Sequence, residues 1–219
     1  ILVGLILWNS LPEILTTHWG ADGNADGWSS KAFAVFVPPL LILITHWICV
    51  LVTAVDPKNK NQHNNAISIV FWMCPIISIV TNGFIYGTAF EIEFNIELLL
   101  PVLLGVMFIV LGSYLPKFKQ NYTLGIKVPW TLANEENWNK THRLGGKLWI
   151  IGGIILIFSI FFPENIMTTT LVVVIAILAI VPIVYSYCLY RKQMNNGEYI
   201  AFNQPKTKYQ STLTKVSLV

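Results

Sequence analysis

Six cationic side chains and two tryptophans crowd one polar segment, residues 116–147, PKFKQNYTLGIKVPWTLANEENWNKTHRLGGK. Lys117, Lys119, Lys127, Lys140, Arg143 and Lys147 could hold an anion, either a phosphate or an acidic protein surface. His142 has no second His or Cys nearby to share a metal, and no nucleophile or carboxylate at a useful spacing for general-base work. A second set lies near the start of the chain. His18, Asp22 and Asp26 sit in LPEILTTHWGADGNADGWSSK, where DGNADG is the first half of a calcium loop. The twelfth loop position, which should be a bidentate Glu, is Phe33. A glycine-rich turn explains the same residues, and a pH-sensing or metal-holding His–Asp pair is a third reading. His46 and Asn82 are polar groups within apolar runs, either functional or bonded between helices.

The elements that must position these groups are hydrophobic. Of 219 residues, 54% are hydrophobic and 11% charged, under half the charge of an ordinary soluble domain. Apolar runs fall at about 1–11, 32–55, 66–90, 98–115, 148–162 and 166–190. They are continuous rather than alternating, which argues for helices and against a membrane β-barrel. The expected fold is therefore all-α: a polytopic helical membrane protein with six spans. ILVGLILW is too short to cross a bilayer, which takes about 20 apolar residues, so the first span is read as truncated. Cys49, Cys74 and Cys188 all lie in apolar runs and read as small buried hydrophobes, with no CxxC or disulfide framework. No cysteine metal site and no cofactor is implied, and no direct nucleic-acid partner is expected.

Charge placement predicts orientation. Thirteen of the fourteen Lys and Arg residues fall in loop 56–65, segment 116–147 and the tail. Lys31 is the exception. The positive-inside rule then puts both termini and segment 116–147 in the cytoplasm. Loop 12–31 and Glu91, Glu93 and Glu97 face outward. The sequons at Asn121 and Asn139 lie on the cytoplasmic side, where they carry no glycan.

Within 116–147, Gly125 permits a tight turn and Val128 before Pro129 should be extended. Thr131 or Asn134 can cap a helix whose first turn holds Glu135 and Glu136. Glu136 and Lys140 stand in the favourable i,i+4 order. Trp138 and His142 share a face, and Gly145–Gly146 should end the helix. The expectation is a short amphipathic helix on the inner membrane surface, leading into the fifth span. Interfacial anchoring of Trp130 and Trp138 and simple positive-inside placement of the lysines explain the same residues.

The pattern Gly112, Asn121, Gly125, Ile126, Pro129, Trp130, Thr131, Leu132, Trp138, Arg143, Lys147 resembles the signature of the SdpI family of bacterial membrane proteins. Lys127 and Val128 depart from it, standing where Arg and Thr are usual, and Lys lacks the planar fork of Arg. Pro12, His18, Gly23, Asp26, Gly27, Trp28 and Lys31 resemble the DUF1648 region that commonly precedes that signature. The organisation expected is a DUF1648-like region at 1–55, a loop and span at 56–97, an SdpI-like region at 98–194 and a polar tail at 195–219.

The resemblance implies an immunity protein of the bacterial cytoplasmic membrane, resisting a secreted peptide toxin. It also implies a signalling role in which the cytoplasmic face sequesters a repressor protein. Toxin would meet His18, Asp22, Asp26, Trp28, Lys31 and Glu91 outside. The cytoplasmic partner would meet Asn121, Gly125, Lys127, Pro129, Trp130, Thr131, Trp138, His142, Arg143 and Lys147. Two other readings stand beside it. One is a protein or enzyme that handles membrane lipids by their phosphates, against which the missing acid, base and metal set weighs. The other is a small-molecule transporter, against which the missing internal repeat weighs.

Overall fold

A computed structural model describes residues 1–20, 23–59, 62 and 64–197. Its elements in chain order are α1 (Leu2–Ile6), β1 (Ile14–Trp19), β2 (Ala25–Ser30), α2 (Lys31–Val55), α3 (Asn64–Ala89), α4 (Ile96–Tyr114), α5 (Pro129–Ala133), α6 (Glu135–Ser159) and α7 (Glu164–Asn195). Among the described residues five helices, α2, α3, α4, α6 and α7, are long and apolar enough to cross a membrane. The chain is a mostly helical, multi-pass membrane protein. The run at 1–11, read as a truncated first span, is helical over Leu2–Ile6, and the other five expected spans are α2, α3, α4, α6 and α7.

The segment 12–31, expected as a turn in an all-helical chain, contains a hairpin. β1 pairs antiparallel with β2, Leu15 opposite Ser29 and Thr16 opposite Trp28, with register irregularities around His18. Ile14, Thr16 and Thr17 are β-branched and suit a pleated strand. Leu15 and Leu11 are buried with Ala34 and Val35 of α2 and Ile85 and Tyr86 of α3. The hairpin therefore sits as a small cap on the N-terminal end of α2 and the C-terminal end of α3. Ser30 closes it and starts α2, its Oγ accepting from Phe33 N–H at 3.4 Å.

The helix expected to stop at Gly145–Gly146 does not stop. α6 runs unbroken from Glu135 to Ser159, and Trp138 lies in a buried cluster rather than on a membrane surface. The glycines are used for approach instead. A Cβ on Gly146 would meet the Gly112 carbonyl oxygen at 2.7 Å, and one on Gly112 would meet the Gly146 carbonyl oxygen at 2.8 Å. Seven residues further into the membrane the pair repeats: a Cβ on Gly105 would meet the Gly153 carbonyl oxygen at 2.6 Å, and one on Gly153 would meet that of Gly105. Small residues at such crossings let backbones close to van der Waals contact, the main attraction between helices in lipid. On the other side of α6, Gly152 faces Val174 and Leu178 of α7.

α7 has 32 residues. At 1.5 Å per residue that is about 48 Å, well beyond a hydrocarbon core of about 30 Å. The excess carries Ser186, Tyr187, Tyr190 and Gln193 up beside the polar segment between α4 and α6.

Candidate functional site

The polar segment folds back into the protein through its own short polar residues. Asn121 is completely buried. Its Oδ1 accepts from Thr123 N–H at 2.8 Å and Leu124 N–H at 2.6 Å, while its Nδ2 donates to the Lys119 carbonyl at 2.8 Å. One side chain thus replaces several backbone bonds that a loop would otherwise lack. Gly125 follows with φ of 101°. That region favours glycine, and a Cβ there would run into His142 Nε2.

His142 explains the tight approach. Its Nε2 accepts from Ile126 N–H at 2.8 Å, and its Nδ1 lies 2.8 Å from the Trp138 carbonyl. An imidazole that accepts at one nitrogen and faces a carbonyl at the other is neutral with the proton on Nδ1. Its ring stacks on Trp138 at 3.9 Å between centroids. Trp138, also fully buried, donates from Nε1 to the Phe118 carbonyl at 2.7 Å. His142 and Trp138 are therefore pillars of the loop, closed to a partner.

Pro129 opens α5 after an extended Val128. Thr131 is buried; its hydroxyl accepts from Val128 N–H at 3.1 Å and lies 2.9 Å from the Ile126 carbonyl. Trp130 Nε1 donates to Ser186 Oγ, and its ring packs against Tyr187 and Tyr190 of α7. Asn134 caps α6, its Oδ1 accepting from Asn137 N–H at 2.8 Å. Asn137 in turn donates to the Ser186 carbonyl at 2.9 Å. Glu136 and Lys140 form the expected ion pair at 2.6 Å.

A second loop completes the knot. Asp56, buried just past α2, accepts from Tyr122 N–H at 2.8 Å and Thr123 Oγ1–H at 3.1 Å through Oδ2, and from Lys58 N–H at 2.9 Å through Oδ1. Lys58 Nζ donates to Gln120 Oε1 at 2.9 Å. Gln62 exchanges two bonds with the Lys119 backbone, at 2.5 and 3.0 Å. Asp56 and Gln62 were missed in the sequence because loop 56–65 reads only as a carrier of lysines, and Gln120 and Ser186 because an uncharged polar residue carries no local signal of its partner. The one available signal was a lone Asp directly after an apolar run.

Much of the exposed remainder is cationic, beside exposed Tyr122, Glu135 and Glu136. Lys127 Nζ donates to the Thr123 carbonyl at 2.9 Å and is otherwise open to solvent. Arg143 and Lys147 are exposed one turn apart on α6. Helical spacing puts them on a different face from Gly145 and Trp149, against which the loop packs. The three basic residues therefore form two patches rather than one.

On the hairpin side, His18 Nδ1–H donates to Asp26 Oδ1 at 2.5 Å, and both side chains are exposed. Asp22 lies outside the described residues. Trp28 is exposed. Lys31 is buried: it pairs with Glu13 at 2.9 Å and donates to the Trp8 carbonyl at 3.2 Å, locking the hairpin to α2. Glu91 is exposed in a left-handed turn, φ 60°, after α3. It lines an open cleft of about 490 Å³ with Trp19, Glu93 and Phe94. The structure thus joins His18 to Asp26 and Glu91 to Trp19, and gives Lys31 an internal bond.

This division, a buried signature loop on one side and a DUF1648-like hairpin on the other, is matched by known families. Residues 117–186 match the SdpI/YfhL protein family, and residues 1–43 match the domain of unknown function DUF1648. Residues 117–186 are thus similar to an SdpI/YfhL module. The module begins at the 3-10 turn after α4 and ends at Ser186, the residue that receives Trp130 and Asn137. The chain is also 23% identical, over 197 residues, to "Immunity protein SdpI" of Bacillus subtilis (strain 168), covering 87% of this chain and 90% of that relative. No solved structure matches the chain.

Proposed function

We propose that this chain is an immunity protein that protects its cell from a secreted, membrane-active peptide toxin. The observation that carries the reading is the end-to-end similarity to an immunity protein, spanning both the hairpin and the SdpI/YfhL module. The toxin-facing surface is the hairpin and the adjoining turn: the His18–Asp26 pair, Trp28, and the cleft with Trp19, Glu91 and Glu93. Exposed carboxylates beside aromatic rings suit cationic and apolar groups of a peptide. The knot and both termini face the cytoplasm, a reading supported by the one-sided lysines and arginines. There the exposed Lys127, Arg143 and Lys147 are offered to an acidic repressor surface.

The test is survival. A toxin-sensitive bacterium expressing this chain is challenged with a secreted peptide toxin of the class met by SdpI, and with any toxin encoded beside this chain. Protection by membrane-inserted protein is the expected result. Killing at the same dose as vector-only cells, with the protein present in the membrane, overturns the reading.

A further inference from the structure

We propose that the apolar cavity beneath the signature loop seats one acyl chain of an anionic phospholipid, drawn from the leaflet the loop faces, with its phosphate held at Lys127. The cavity measures about 340 Å³ and is walled by Cys49 of α2, Met73 and Cys74 of α3, Leu111 of α4, Trp149 of α6 and Ile126 of the loop. It exists because the spans pack as two groups. The extensive contacts run α2 with α3, α4 with α6, and α6 with α7. The two groups are joined at the polar knot, through Asp56, Lys58 and Gln62, and through Ile69 packed on the Leu115–Phe118–Trp138 cluster. Below that junction the walls diverge and leave the space.

Water is a poor occupant, since it needs two to four polar partners and these walls are almost wholly apolar. A lipid tail is as apolar as Leu and is the material that surrounds the bundle. The way in is open, because Cys49 on the cavity wall is itself exposed. Charge selects the head group. Ile126 on the wall is followed directly by exposed Lys127, whose ammonium spends one of its three donors on the Thr123 carbonyl. Phe118, also on the wall, is flanked by exposed Lys117 and Lys119. Asp56, the acid at this junction, is buried with its oxygens bonded to Tyr122, Thr123 and Lys58. Basic pockets between spans at a membrane face hold anionic head groups in this way. The site is independent of the immunity reading and of which way the loop faces.

The test is native mass spectrometry of the detergent-solubilised full chain after exchange with phosphatidylglycerol or phosphatidylcholine of identical acyl chains. One retained phosphatidylglycerol, held in preference to phosphatidylcholine, is expected. Lys127→Gln should weaken phosphatidylglycerol retention about fivefold and leave phosphatidylcholine unchanged. Met73→Trp, which fills the cavity, should abolish retention of both. Cys49→Phe, which narrows the entrance, provides the same reading if Met73→Trp fails to fold. Equal retention of the two lipids, or retention indifferent to both Lys127→Gln and the cavity-filling variant, overturns the proposal. So does a cavity from which a toxin peptide, but no lipid, is recovered. A chain that retains phosphatidylglycerol yet gives no toxin resistance would leave this site standing and sink the immunity reading alone.

Discussion

At the scale of single residues, the signature is mostly a set of bonds the loop makes with itself. Asn121, Thr131, Trp138 and His142 are buried and hydrogen-bonded, and Gly125 is the space that lets Ile126 reach His142. Gly125→Ala must place a side chain at positive φ and against an imidazole edge, and is expected to destabilise the protein by about 1–3 kcal/mol. Gly83 is the internal comparison: it sits in α3 with nothing within 4 Å of a Cβ position. Gly83→Ala should be neutral or stabilise by about 0.5–1 kcal/mol, because a helix interior favours Ala. Thermal unfolding of both variants in the same detergent checks the opposite signs. Asp56 makes a second prediction. Asp56→Ala leaves the Tyr122 N–H without its acceptor and the Thr123 hydroxyl with Asn121 Oδ1 alone, at 3.2 Å, a loss of about 1–3 kcal/mol. Opening should be local, so limited trypsin digestion of membranes is expected to cut faster after Lys119 and Lys127. An unchanged digestion rate would mean that Asn121 alone holds this part of the loop.

At the scale of elements, the glycine pairs set the α4–α6 crossing. Gly105 and Gly153, like Gly112 and Gly146, face each other's carbonyl oxygens, so any side chain there meets backbone that cannot rotate away. Gly105→Leu should separate the helices and lower the melting temperature by several degrees or more, with less folded protein in the membrane. The same substitution at Val106, exposed on the next position around α4, should leave both unchanged. These elements also show what a sequence conveys. The long apolar runs are legible because a membrane span needs only length and composition. The Asn134 cap and the Glu136–Lys140 pair are legible because helix ends and i,i+4 spacing are local. Gly145–Gly146 misled, since a glycine pair reads as a stop when nothing in the chain reveals a neighbouring helix at close quarters. Trp138 and His142 misled for the same reason: a shared face is visible, but whether it meets lipid, water or the Phe118 carbonyl is decided by a loop folded over it. The hairpin was hidden because its one fully buried side chain is Leu15, with half-buried Trp19 four residues on, which leaves no alternating pattern.

At the scale of the whole molecule, α2 joins the two ends. Its first residue, Lys31, is locked to Glu13 and the Trp8 carbonyl, and Asp56 follows its last turn into the signature loop. Residues of the hairpin therefore divide by task, and a protection assay can separate them. Among the described residues His18 and Asp26 are exposed and bond to each other, so Ala at either position removes recognition chemistry without uncovering a buried group. His18→Ala and Asp26→Ala are expected to lower toxin survival by about tenfold or more, roughly the 1–2 kcal/mol of a central contact, at normal membrane levels of protein. Lys31 is different in kind. Lys31→Met keeps the length of the side chain and loses the charge that Glu13 and the Trp8 carbonyl share, so the cap loosens from α2. That variant should lose protein level or melting temperature together with protection, and Glu13→Gln should lose part of each. If His18→Ala and Asp26→Ala instead protect as well as the unaltered chain, recognition moves to the Trp19–Glu91–Glu93 cleft. Glu91→Gln with Glu93→Gln then becomes the decisive pair, because the cleft is the other place on that side where carboxylates and an aromatic ring converge.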